Sequence, residues 1–134
     1  RRAGMLRVKT LDELFQAVGT LASGTRVKGD RLAVLTNGGG IGVLAVDELA
    51  EGNGQLATLS PATLAHLDTR LPATWSHGNP VDILGDAPGE RYVVALEALI
   101  EAGDADAILN VVTDKTQLIS QDKTVTAVAT RHNV

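Results

Sequence analysis

Residues Thr36-Asn37-Gly38-Gly39-Gly40-Ile41-Gly42 set three consecutive glycines between an apolar run, Arg31 to Thr36, and a segment with helical spacing. A strand that ends in a glycine turn and feeds a helix presents free backbone N–H groups, and the helix adds its positive end, so the ligand chemistry to expect is an anion such as phosphate. Bare glycines let that backbone come close. The turn is not a P-loop, because the Gly-Lys-Ser/Thr ending is missing, and no glycine starts a G-x-G-x-x-G dinucleotide fingerprint. The plainer alternative is a tight strand-to-helix turn with no ligand.

A second concentration of unusual residues is "HGNPVDILGDA", residues 77–87. Pro80 biases Asn79 toward an extended or turned backbone, and Asp82 lies between apolar neighbours, where a carboxylate must face the loop or find partners. Asn79 and Asp82 are thus candidate ligand contacts, or else residues that tie down loop amides. His66, His77 and His132 are candidate bases by type alone. None has a Ser, Cys or carboxylate at triad spacing and no pair has zinc-ligand spacing, so no catalytic residue and no metal site is assigned.

The elements that must position these residues follow from periodicity. Thr10 with Glu13 forms a capping box, and Leu11, Leu14, Phe15, Val18 and Leu21 share one face, which predicts a helix over 11–22. "RLAVLT" is a short apolar run of the kind covered on both faces in a parallel sheet. The helix after the glycines should stop at "EGNG", with "QLATLS" as the next strand. Ser60 caps a helix with Pro61 in its first turn, Val81 to Leu84 forms a short extended piece, and Asp86 or Pro88 starts a helix through "GERYVVALEALIEAG". "DADAILNVV" is a further strand, and a weak final helix is expected from about Gln121. Alternating helices and strands indicate an open, mostly parallel α/β sheet with helices on both faces.

Composition narrows the function classes. The 134 residues suit one compact domain, and a formal net charge of -4 with no Lys- or Arg-rich run argues against nucleic acid or an anionic membrane as main partner. With no cysteine, disulfides and thiolate chemistry are excluded, in keeping with a cytoplasmic protein. No apolar run approaches the roughly 18 residues of a membrane span. Phe15, Trp75 and Tyr92 are the only aromatic residues, too few for base-stacking platforms. The chain begins without methionine, and the expectation is a domain, residues 1–134, from a longer polypeptide.

"GDRLAVLTNGGGIGVLAVDEL", "LSPATLAHLDTRLPATWSHGNPVDILGDA", "ERYVVALEAL" and "DADAILNVV", together with the opening "RRAGMLRVKTLDELFQA", resemble the second ligase-type, flavodoxin-like domain of the ADP-forming acyl-CoA synthetases, relatives of succinyl-CoA synthetase. The resemblance covers residues 1 to about 112 and rests on the TNGGG turn and the GNPVD loop in that order. It implies an open three-layer sandwich and a role in interconverting acyl-CoA, ADP and phosphate with acid, CoA and ATP through an acyl phosphate and a phosphohistidine. It further implies that Asn37, Gly38, Gly39, Gly40, Ile41 and Gly42 stabilise the phosphohistidine. CoA, ADP or ATP and Mg belong to the complete enzyme, whose CoA-binding Rossmann domain, phosphohistidine-bearing domain and ATP-grasp domain would be the partners. This domain alone would bind no cofactor and would not turn over. The family's threonine-proline loop after the last strand is replaced here by "VVTDKTQLISQDKT". Two alternatives stand beside this one: a catalytically silent acyl-CoA-sensing module of a GNAT-type protein acetyltransferase, and an interaction domain whose glycine turn only packs.

Overall fold

The computed structural model describes residues 10–22, 27, 29–113 and 124–129. In chain order the elements are α1 (Leu11–Ala22), β1 (Arg31–Thr36), α2 (Gly39–Glu51), β2 (Gln55–Leu56), α3 (Pro61–Asp68), β3 (Val81–Asp82), α4 (Gly89–Ala102), β4 (Ala107–Val112) and β5 (Thr124–Ala129). The expected capping box opens α1, where the Glu13 N–H donates to Thr10 Oγ1 at 3.1 Å.

β1 is the organising strand. Along one edge it pairs in parallel with β4, Leu32 opposite Ala107 through Thr36 opposite Val111. Its other edge is shared by two short parallel strands, β2 against Arg31 and Leu32 and β3 against Leu35 and Thr36. β5 closes the far side antiparallel to β4. The sheet is therefore open and predominantly parallel, an α/β architecture as expected from the alternation of elements.

Residues alternate across β1. Ala33 and Leu35 enter a core with Ile108, Leu67, Leu71, Trp75, Ile83, Ala95 and Leu99, contributed largely by α3, α4 and the loops beside them. α2 packs against β1, β2 and β3, with Gly42 as its buried point of approach. Ala33, Val34, Leu35 and Thr36 are all fully buried, the signature of a strand covered on both faces.

Local stop and start signals behave as their chemistry dictates. Ser60 caps α3, its Oγ accepting the Thr63 N–H at 3.2 Å with Pro61 in the first turn. Asp104 reinforces that cap from the end of α4, accepting from the Ser60 N–H at 2.7 Å and Thr63 Oγ1 at 2.6 Å. Gly103 ends α4 in the left-handed conformation at φ 66. At the end of α2 the left-handed residue is Asn53, φ 58, rather than a glycine.

The tail departs from expectation. In place of a helix from about Gln121 the chain forms strand β5, Thr124–Ala129. Its sequence, TVTAVA, holds four β-branched residues in six, whose stiff χ1 disfavours helix and suits a strand, and the edge of β4 supplies the partner. The strand expected over "QLATLS" is confined to Gln55–Leu56. No helix among the described residues is long and apolar enough to cross a membrane.

Candidate functional site

The glycine turn lies at the carboxyl end of β1, where open α/β sheets bind ligands. Gly38 is the N-cap of α2 and has extended backbone, φ -140 and ψ 97, with no side chain capping the helix. Three donors near the turn are already engaged: the Gly38 N–H with Thr36 Oγ1 at 3.0 Å, and the Ile41 and Gly42 N–H groups with the Gly38 carbonyl at 3.0 and 3.1 Å. Within the first turn of α2 that leaves Gly39 and Gly40, whose N–H groups at the head of a helix have no partner within it.

The Asn37 side chain is not offered to a ligand. It is 7% exposed, its Oδ1 accepts from the Thr113 N–H at 2.7 Å and Thr113 Oγ1 at 2.8 Å, and its Nδ2 donates to the Thr113 carbonyl at 2.9 Å. The Asn37 side chain thus fastens the turn to the end of β4, while at the head of α2 the Gly39 and Gly40 N–H groups stay open. Residues 114–123, which follow Thr113 in the divergent loop, lie outside the described residues, as does His132.

Each glycine has its own reason. A Cβ on Gly42 would stand 2.9 Å from Thr36 Cγ2 and 3.3 Å from Pro80 Cβ, so Gly42 lets α2 sit down on the sheet. A Cβ on Gly39 would stand 2.7 Å from Asp82 Oδ2. Gly40 faces open space, with nothing within 4 Å of a Cβ built there.

The second loop reaches the same edge of the sheet, but its two candidate residues part ways. Asn79 is committed to β1: its Oδ1 accepts from the Val34 N–H at 2.9 Å, and its Nδ2 donates to the Leu32 carbonyl at 3.0 Å and the Ala57 carbonyl at 2.9 Å. The carboxamide fills the gap between β2 and β3, which is the loop-tying alternative rather than a ligand contact. Asp82 does face the turn. Its Oδ1 accepts from the Leu84 N–H at 2.9 Å, leaving Oδ2 toward Gly39. Across from it, burial and then the charge of Asp82 push the Tyr92 hydroxyl up to about 12.

The His77 ring is bonded to Asp68 and to the Ala73 carbonyl at 2.7 and 3.0 Å rather than to the glycine turn. His66 lines a groove between α3 and α4 with Ser60, Thr63 and Glu101. Among the described residues no group of three His, Cys, Asp or Glu side chains is arranged to hold a metal ion. Sequence reasoning missed Thr113, the partner of Asn37, since nothing in the sequence marks a pair 76 residues apart.

No protein-family model matches the chain. It is, however, 36% identical over 118 residues to the ADP-forming acetate–CoA ligase I of Archaeoglobus fulgidus, a match covering 88% of this chain and 17% of that protein. It is 32% identical over 109 residues to the alpha subunit of the ADP-forming acetate–CoA ligase II of Pyrococcus furiosus, covering 81% of this chain and 24% of the subunit. The chain belongs to the ADP-forming acyl-CoA synthetase family. The fold agrees: a dinucleotide-forming acetyl-coenzyme A synthetase 1 of Ca. Korarchaeum cryptofilum, solved in the apo form and in complex with phosphate and ADP, superposes with a TM-score of 0.76 at 30% identity. That match covers 84% of this chain and 24% of the synthetase. This synthetase-family chain therefore spans about a fifth of the length of the curated relatives it matches.

Proposed function

We propose that this chain is the part of an ADP-forming acyl-CoA synthetase that stabilises a phosphoryl group, held on a histidine elsewhere in the enzyme, by the head of α2. The observation that carries this is the pair of N–H groups on Gly39 and Gly40, without side chains and at the carboxyl edge of the sheet. A dianionic phosphoryl group gains most from fixed donors and a favourable dipole that need no rearrangement as charge moves, and a helix N-terminus supplies both. The phosphate and ADP of the Korarchaeum relative's complex support a phosphate-handling role.

Asp82 sets a condition on that role. Its carboxylate beside Gly39 repels a second anion, so the phosphoryl group must enter on the Gly40 side, where space is open. The reaction served would be acyl-CoA, ADP and phosphate to acid, CoA and ATP. CoA, nucleotide and Mg would be bound by the other domains, a CoA-binding Rossmann domain and an ATP-grasp domain, with the histidine on a third. Without them this chain would not turn over.

The test is an amide-resolved NMR titration of the chain with inorganic phosphate, with ADP and CoA as controls. Saturable shifts centred on Gly39 and Gly40 with phosphate are expected. Unmoved Gly39 and Gly40 amides at tens of millimolar phosphate, well beyond the ~1 mM dissociation constant that corresponds to about 4 kcal/mol, would overturn the anion site. Shifts with CoA alone would favour an acyl-CoA-sensing module instead.

A further inference from the structure

We propose that His77 is an imidazolium latch that fastens the loop carrying Asp82 to the end of α3, and that its hold loosens as pH rises. The inference stands apart from the phosphoryl role. It starts from the two ring nitrogens: Nδ1 lies 2.7 Å from Asp68 Oδ1 and Nε2 lies 3.0 Å from the Ala73 carbonyl oxygen. Both partners are acceptors only. A neutral imidazole carries one N–H, so either tautomer would leave a lone pair facing an oxygen, and the doubly protonated ring alone satisfies both contacts.

The surroundings are built for that form. Asp68, from α3, is the charged group that acts on His77, and the loop contributes the neutral Ala73 carbonyl and the Trp75 ring, 4.9 Å away and tilted by 44°. The same Asp68 Oδ1 also accepts from Trp75 Nε1–H at 2.8 Å, so the buried indole orients the carboxylate. His77 itself has φ 52, uncommon for a residue with a side chain, and its two bonds offset that cost. In agreement, the Ala73 carbonyl and then the Asp68 carboxylate raise the His77 pKa above its ordinary value.

The latch connects to Asp82 through its neighbour. Ser76 Oγ donates to the Pro80 carbonyl at 2.6 Å and accepts from the Asp82 N–H at 2.8 Å, while the Ser76 N–H donates to the Asp82 carbonyl at 3.3 Å. Holding His77 therefore holds Ser76 and, through it, the Asp82 that faces Gly39. A histidine whose folded pKa is raised contributes stability that is fully present below its unfolded value of about 6.5 and is lost as pH rises through the folded value. The loop should accordingly be tight in mild acid and looser in mild alkali.

Trp75 is the chain's one tryptophan and reports on the latch directly. The experiment follows its fluorescence, the His77 ring signals and the Ser76 and Asp82 amides between about pH 5 and pH 9, a range that brackets ordinary histidine titration. All should titrate together with a midpoint above about 6.5. His77→Asn, chosen because asparagine tolerates positive φ, should abolish the transition. Asp68→Asn, which keeps an acceptor for Trp75, should move the His77 midpoint down. A His77 midpoint at or below the ordinary value, or Ser76 and Asp82 amides that ignore it, would overturn the latch.

Discussion

Asn37 and Thr113 are joined by three hydrogen bonds, between 2.7 and 2.9 Å, that tie the end of β1 to the end of β4 just where the glycine turn begins. Asn37 is nearly fully buried, so the bonds cannot be handed to water. Asn37→Asp keeps the two acceptor bonds but sets an oxygen against the Thr113 carbonyl. We expect it to destabilise the fold by about 2–3 kcal/mol, the cost of an unmatched buried polar group, and Asn37→Ala by a similar amount. Urea denaturation with an unchanged m-value checks this.

Asn79 does for the other edge of β1 what Asn37 does for its end. Asn79→Ala strands the Val34 N–H between two strands too short to reach it. The expected loss is again about 2–3 kcal/mol, with faster hydrogen exchange at Val34. Exchange at Val34 as slow as in the unsubstituted chain would show that the carboxamide is dispensable.

Gly40 and Gly42 separate binding from folding. Gly40→Ala meets nothing and should leave the chain as stable or more so, by about 0.5–1 kcal/mol from helix propensity, while weakening phosphate shifts at the turn. Gly42→Ala pushes on Thr36 and Pro80 and should cost about 1–2 kcal/mol as overpacking outweighs propensity. Thermal melts of the two variants should move in opposite directions.

At the opposite end of β1, the Arg31 guanidinium grips Asp106 by two bonds of 2.9 Å, and the Arg31 N–H adds a third at 3.1 Å. These bonds hold the Asp106 carboxyl down to about 2. A depressed carboxylate contributes stability that is present above its unfolded value, about 3.9, and lost as pH falls through the folded one. Carboxyl-detected NMR should place the Asp106 midpoint near 2 and find it raised in Arg31→Lys, which loses the fork. Because the pair is partly exposed, the melting temperature at neutral pH should barely change.

By itself the sequence determined the elements whose signals are local. Glycine at the head of α2, Ser60 with Pro61 at α3, Gly103 after α4 and the apolar runs of β1 and β4 each act within a few residues, and each appears where its chemistry requires. Steric freedom and capping depend on neighbours along the chain, so they are legible there. The tertiary structure alone decided what depends on distant partners. It turned TVTAVA into β5 by supplying the edge of β4, committed the side chains of Asn37 to Thr113 and Asn79 to Val34, and engaged the Gly38, Ile41 and Gly42 N–H groups within the turn. It also set Asp82 before the turn and gave His77 two acceptors. A polar side chain's role is fixed by which unpaired group reaches it first in space, and only the folded sheet determines that order.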